Sequence, residues 1–312
     1  MSGGALRVAI AGFGRMGRIY AETLKHIPDA CLSAVCTSRR EDDECLREHC
    51  NGAVLFDSYE AMLERADLDV ICITVPTFLH KSYVMQAAKA RKHVICEKPI
   101  ALSTEDAREM IAACQQNGVR LFIAHVVRFF SDYRMAKEVA ASGRLGRIRS
   151  ASLKRAGSFP GACWLSDPAK SGGIIMDLMI HDIDFVKWAI GDIQSLSART
   201  RSSDTSEYAS VMLEMSGGAI VNLEAHWGYP HPFATRFELV GETDLLRGDN
   251  ADVPTDMNEP FELEIRHFLT CIREGVDPVI TAEDACHAVA VAEAANLSAR
   301  TGASVDMKGW NG

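Results

Sequence analysis

The chain has 312 residues and a formal net charge of −9, enough for two domains at roughly 100–200 residues each. The acidic balance argues against nucleic acid as a partner, because phosphate binding needs a basic face. No apolar run approaches the roughly 20 residues of a membrane span.

Met1-Ser2-Gly3-Gly4 leads straight into a strand pattern. It lacks the basic-then-apolar stretch of a secretory signal, so a cytoplasmic protein is expected. The ten cysteines include no Cys-x-x-Cys pair. Cys31, Cys36, Cys45 and Cys50 form the densest group, but their gaps match no common metal-ligand spacing. Reduced thiols are the plainer reading, and no metal is expected.

Residues 6–11 read as a first strand. Gly12-Phe13-Gly14-Arg15-Met16-Gly17 follows, and then a helix to about Lys25. This is G-x-G-x-x-G in strand–turn–helix context, where the glycines allow a tight turn, approach of a pyrophosphate and close helix packing. The helix start then offers N–H groups to phosphate. Residues 31–36 are the second strand. An NAD-type site places an acid near its end, to hold the ribose 2′-hydroxyl. Here the chain reads Thr37-Ser38-Arg39-Arg40, and the first acid is Glu41. A hydroxyl pair followed by two arginines suits a 2′-phosphate, so NADP(H) is favoured and NAD(H) is the alternative.

The alternation continues with strands at 53–56, 69–74, 93–96 and 119–124. Helices lie between them, one capped by Ser58 and one opening at Ser103-Thr104. The strand 94–96 is apolar throughout, as in a parallel sheet covered on both faces, and Pro99 must end it. Glu97 and Lys98 therefore sit at the carboxyl edge of the sheet, where ligands bind in open α/β folds. The pattern predicts a doubly wound parallel sheet over residues 1–124.

Beyond Ala124 the texture changes. A helix at 129–142 and a strand at 148–154 precede a Gly-, Pro- and Ser-rich loop at 157–173 that carries Trp164. After a helix at 173–190, alternating strands are expected at 195–200, 208–215, 219–226 and 233–240, with Gly217-Gly218 as a hairpin turn. Closing helices are expected at 259–274 and 281–301. Residues 125–312 thus read as an α+β domain with an antiparallel sheet.

The helix across Gly172–Val186 is apolar nearly all round and should be buried. Yet Asp177, His181 and Asp184 fall at i, i+4 and i+7, on one face. Buried unpaired charge is costly, so this stripe needs a partner, a ligand or a wet cleft. A histidine held by carboxylates can trade protons. A satisfied core Asp–His pair is the structural alternative.

Gly12-x-Gly14-x-x-Gly17, Val75-Pro76-Thr77 with His80, Glu97-Lys98-Pro99, Arg128-Phe129, and Gly172-Gly173 with Asp177, His181 and Asp184 occur in an order that resembles the Gfo/Idh/MocA (glucose–fructose oxidoreductase / inositol 2-dehydrogenase) family. The resemblance spans nearly the whole chain. It implies a Rossmann domain followed by an α+β domain whose open, mostly antiparallel sheet forms a homodimer or homotetramer interface. It also implies a cis Lys98–Pro99 bond, contact of Lys98 with nicotinamide and substrate, and His181 as acid/base with Asp177 beside it. The missing acid after the second strand departs from many NAD-using members.

The expected catalytic residues are Lys98, Asp177 and His181. The expected cofactor contacts are Gly12, Phe13, Gly14, Arg15, Met16, Gly17, Thr37, Ser38, Arg39, Arg40, Thr74, Val75, Pro76, His80, Glu97 and Lys98. Arg128, Trp164 and Tyr229 join Asp177 and His181 as substrate contacts. The reaction expected is hydride transfer between nicotinamide and a secondary alcohol or ketone of a sugar or cyclic polyol. Two alternatives stand beside it: a glycosidase with a bound, internally recycled NAD, and a non-catalytic sugar or dinucleotide sensor.

Overall fold

The computed structural model describes residues 4–38, 50, 52–65, 67–161, 163–249 and 258–310. Two compact units are present. The first holds Met1–Ala101, Asp106–Val126 and Asp256–Glu283, and the second holds Leu102–Glu105, Val127–Thr255 and Asp284–Gly312.

The first unit is built on six parallel strands: β1 (Leu6–Ala11), β2 (Ala30–Cys36), β3 (Val54–Phe56), β4 (Val70–Ile73), β5 (His93–Glu97) and β6 (Leu121–Ala124), in the order β3-β2-β1-β4-β5-β6. This is the dinucleotide-binding order, with its switch point between β1 and β4. Every residue of β4 is buried, as are Val94–Glu97 of β5, which is why these runs carry no polar alternation. Helix α1 (Arg15–Lys25) buries Gly17, Tyr20, Ala21 and Leu24. Helices α2 (Tyr59–Leu63), α3 (His80–Lys89) and α4 (Thr104–Gln116) follow the strands as expected. Ser58 caps α2, its side chain accepting from the Ala61 N–H.

A single cut at Ala124 does not describe this unit. Helix α7 (Asn258–Glu274) groups with the first sheet. Phe268 stacks on Phe122 at 5.0 Å, and Arg120 donates to the Cys271 carbonyl at 2.6 Å. An apolar helix stripe far along the chain does not reveal which sheet it will cover.

The second unit carries α5 (Ser131–Ala141), β7 (Ile148–Gly157), a widened helical turn at Ile175–Met179 that continues as α6 (Ile180–Ala189), and a seven-stranded sheet. Its further strands are β8 (Ile193–Ser203), β9 (Ser206–Met215), β10 (Ile220–Trp227), β11 (Ala234–Gly241), β12 (Leu245–Asp249) and β13 (Val305–Asp306). The order is β12-β11-β7-β10-β9-β8-β13, antiparallel except for β7 beside β10. Gly218 takes φ +83° in the β9–β10 hairpin, as its sequence requires. The edge strands β12 and β13 were not expected, since one has no buried face and the other has two residues. Phe185 of α6 meets Tyr133 of α5 at 5.0 Å and Phe237 of β11 at 5.9 Å, fastening the helix to the sheet. Helix α8 (Ala282–Thr301) follows α7.

Helix α7 also brings Glu264 into the first unit at 0 % exposure, and neither carboxyl oxygen has a hydrogen-bond partner among the described groups. Burial, with Glu97 nearby, pushes this carboxyl well above the ordinary glutamate value. Between those two values the folded chain keeps a proton that the unfolded chain has released. Stability therefore falls as pH rises, by about 1.4 kcal/mol per pH unit from this group. Urea denaturation of Glu264→Gln at pH values rising from the ordinary glutamate value should show that slope reduced by about one proton's worth; an unchanged slope would mean Glu264 ionises in the fold.

Candidate active site

The carboxyl end of the first sheet is shaped by the glycine turn. Gly12 takes φ +96°, and a side chain there would meet the Val75 N at 2.8 Å. A methyl on Gly17 would collide with the Gly12 carbonyl, which also accepts from the Thr74 hydroxyl at 2.6 Å. Gly14 differs from both, since a side chain there would meet nothing within 4 Å. It caps α1 with no side-chain bond, and no acid stands in the first turn. The helix start is thus open to an anion. These residues fit the pyrophosphate of a dinucleotide.

The other expected cofactor contacts divide. Thr37 and Ser38 follow β2, with the Thr37 N–H bonded to the Phe56 carbonyl and Ser38 exposed. Arg39 and Arg40 lie outside the described residues. Phe13 is buried, Arg15 exposed and Met16 half-buried. Thr74, Val75 and Pro76 are half-buried at the end of β4. His80 departs from expectation. Its ring is 1 % exposed, with Nδ1 2.9 Å from the Pro99 carbonyl and Nε2 2.9 Å from the Val75 carbonyl, so it faces the scaffold.

Lys98 is the only residue from Val94 to Ala101 that is not buried. Its N–H reaches a carboxylate oxygen of the buried Glu97 at 3.3 Å, and the Lys98–Pro99 bond is cis. The strand end thus presents one side chain, and that side chain is a cation.

In the second unit the same pattern recurs on a helix. From Gly173 to Val186 every residue is buried except Asp177 and His181. Asp177 lies in the widened turn Ile175–Met179, a distortion frequent at functional positions. Glu207 of β9 accepts from the Ile174 N–H at 3.2 Å. Burial, opposed by that bond, and the nearby Asp177 raise the Glu207 carboxyl.

Asp184 does not share the opening. It is 1 % exposed and binds Arg128 through two bonds of 2.9 and 2.6 Å. Helical spacing puts Asp184 about one turn from His181 but does not say that Arg128 covers that turn. Arg128, expected against substrate, is 3 % exposed and also reaches Asp284 at 3.2 Å. Burial works against its charge, but the two aspartates hold the guanidinium protonated. A second pair was missed. Arg155 bonds Asp182 at 2.8 and 3.2 Å and the Tyr133 hydroxyl at 3.3 Å, all buried. The signal was the alternation of β7, which puts Arg155 on the inward face with Ala151 and Leu153.

Trp164 is half-buried in the loop after β7. Tyr229 follows β10, its N–H bonded to the Gly157 carbonyl and its ring 5.3 Å from the Lys154 ammonium. A cavity of about 410 Å³ borders Gly173, Met176, Glu207 and Arg300, but neither Asp177 nor His181 lines it. Among the described residues no group of three or more His, Cys, Asp or Glu side chains is set to hold a metal ion. Cys31 is exposed, Cys36 and Cys50 are buried, and Cys45 lies outside the described residues.

Known proteins resemble this chain along nearly its whole length. The family model for the GFO/IDH/MocA oxidoreductase family, NAD-binding Rossmann fold, matches residues 6–125, and that for the GFO/IDH/MocA C-terminal domain matches 133–247. Myo-inositol 2-dehydrogenase of Thermotoga maritima is 25 % identical, over 97 % of this chain and 99 % of that protein. The scyllo-inositol 2-dehydrogenase (NAD(+)) of Bacillus subtilis is 28 % identical, over 97 % and 96 %. Among solved structures, GenD2 from gentamicin A biosynthesis, in complex with NAD, superposes with a TM-score of 0.90 at 25 % identity, covering 97 % of each chain.

The buried pairs make a direct test of what holds the helix. Asp182→Ala leaves Arg155 charged, enclosed and unpaired, and should cost about 3–5 kcal/mol in chemical denaturation. Arg155→Met with Asp182→Leu should recover most of that loss, because both charges are then gone.

Proposed function

This chain belongs to the GFO/IDH/MocA family of oxidoreductases, and we propose that it oxidises a secondary hydroxyl of a cyclic polyol or sugar, or reduces the corresponding ketone, with a nicotinamide dinucleotide. One observation carries the reading. Two buried segments each open at only the polar groups this chemistry needs: Lys98 at the end of β5, and Asp177 with His181 on the second unit's buried helix. The curated relatives reported above are inositol dehydrogenases, so the glycosidase and sensor readings are not carried forward.

Gly12, Gly14 and Gly17 would hold the pyrophosphate at the start of α1. When bound, the nicotinamide supplies the redox chemistry. The residues of the chain handle the proton and the charge. His181 takes the hydroxyl proton on an imidazole nitrogen, and Asp177 orients that imidazole or a neighbouring substrate hydroxyl. The Lys98 ammonium is suited to stabilising negative charge on a substrate oxygen, most strongly where water is excluded. Trp164 and Tyr229 wall the sugar ring.

Preference for NADP(H) rests on the sequence after β2, where Ser38, Arg39 and Arg40 stand in place of an acid. We place the protein in the cytoplasm, since none of its nine described cysteines is in a disulfide; no described helix is long and apolar enough to cross a membrane. The open face of the second sheet, with Met212 and Ile220 exposed, suits a homodimer or homotetramer, which light scattering would reveal.

Fluorescence titration should show NADPH binding at least about tenfold tighter than NADH, a difference of about 1.4 kcal/mol; tighter NADH would reassign Arg39 and Arg40 to solvent. Lys98→Ala should lower kcat on myo- or scyllo-inositol by about 100-fold or more while leaving cofactor affinity within about threefold. Unchanged turnover would remove Lys98 from the mechanism.

A further inference from the structure

His80 has no place in the proton chemistry above, yet it is among the most enclosed polar side chains of the first unit, at 1 % exposure. It opens α3, just after the turn that follows β4. Its two ring nitrogens point at two different loops. Nδ1 lies 2.9 Å from the Pro99 carbonyl, in the segment after β5. Nε2 lies 2.9 Å from the Val75 carbonyl, in the segment after β4.

Both partners are carbonyl oxygens, which only accept. A ring with two N–H groups donates to both, and a neutral ring donates to one. Burial holds the imidazole below its ordinary value, the two carbonyls oppose that shift, and the Lys98 charge adds to it. In either state the ring is wedged between the ends of two adjacent parallel strands. A buried carbonyl without a donor is unfavourable, so the loop whose carbonyl receives the N–H is held against a neutral ring, and both loops are held when the ring carries two N–H groups.

The consequence falls on Lys98. Its carbonyl side runs directly into Pro99, which His80 holds, and its N–H lies against Glu97. The backbone of the lysine is therefore fixed from both sides, while its side chain alone leaves the buried segment. We propose that His80 is a positioning residue for Lys98: by bridging the Val75 and Pro99 carbonyls, it ties the turn after β4 to the turn after β5 and aims the ammonium. This rests on the role given to Lys98 in the proposed function. It replaces the cofactor contact expected of His80 with a role exerted through the backbone.

The test uses His80→Phe, which keeps a planar ring and removes both donors, and His80→Gln, which restores one. Amide hydrogen exchange of the full-length protein is the first arm and needs no substrate. In His80→Phe, peptides covering 75–79 and 97–101 should both exchange faster, with the glycine turn at 12–17 unchanged and His80→Gln in between. Unchanged protection at 97–101 would overturn the clamp, and so would a uniform loss across the unit, which marks a packing role.

Turnover of myo- and scyllo-inositol is the second arm. His80→Phe should lower kcat by about 10- to 100-fold, because small misplacement of a catalytic group is costly, with the dinucleotide affinity kept within about threefold. In a Lys98→Met background the same change should cost less than about twofold, since groups acting as one unit are not additive. Full additivity would overturn the proposal. Wild-type turnover in Lys98→Met alone would instead overturn the proposed role of Lys98, and the exchange arm would still decide whether His80 clamps the loops.

Discussion

Two guanidinium–carboxylate pairs, Arg128 with Asp184 and Arg155 with Asp182, are shut away from water, and both carboxylates stand on a single helix. A charge in such surroundings is tolerable only with its partner in place and its hydrogen bonds made. The helix can therefore adopt one rotation and one depth. Any slip would separate at least one pair. That constraint gives a nearly all-apolar helix, which might otherwise roll among equivalent packings, a defined face. Phe185, packed between Tyr133 and Phe237, adds shape to the same restriction. What is left unburied between Gly173 and Val186 is Asp177 and His181.

The first unit reaches a similar end by other means. Its central strands β4 and β5 are buried almost throughout, so there polar groups emerge only at the strand ends. The glycine turn leaves the start of α1 open, because Gly12 and Gly17 are pressed against backbone while Gly14 is not. One strand over, Pro99 ends β5 and leaves Lys98 as the sole protruding side chain. The two units thus share a logic: rigid, dry surroundings with a small number of polar openings, which is the preorganisation that charge-stabilising chemistry requires.

Much of this was legible in the sequence, and the exceptions have physical causes. The glycine turn, the strand ending at Glu97 and the hairpin at Gly217-Gly218 are local features, set by residues adjacent in the chain. Arg128 and Asp184 were misread because ion pairing joins positions distant in sequence, and a polar residue beside an apolar run looks the same whether it faces a ligand or another charge. Asp184 lies about one regular turn beyond His181, but Arg128 rather than an opening meets it there. Arg155 was hidden in plain alternation, since an inward-facing arginine on a strand is unusual and its carboxylate lies on a different element. His80 was expected against the cofactor, but its ring nitrogens meet the Pro99 and Val75 carbonyls, because the sequence does not show which way a ring turns.

Helix α7 completes the first unit, although the chain makes it after nearly all of the second. Phe268 and the buried Glu264 must return to a sheet whose last strand ended at Ala124. During synthesis from the amino terminus, that sheet emerges with Phe122 still waiting for its cover, and the stretch Val127–Thr255 of the second unit has to leave the ribosome before the cover arrives. An incomplete sheet with exposed apolar surface is the kind of intermediate that associates with its neighbours. The order of the segments along the gene therefore imposes a vulnerable interval on every newly made copy.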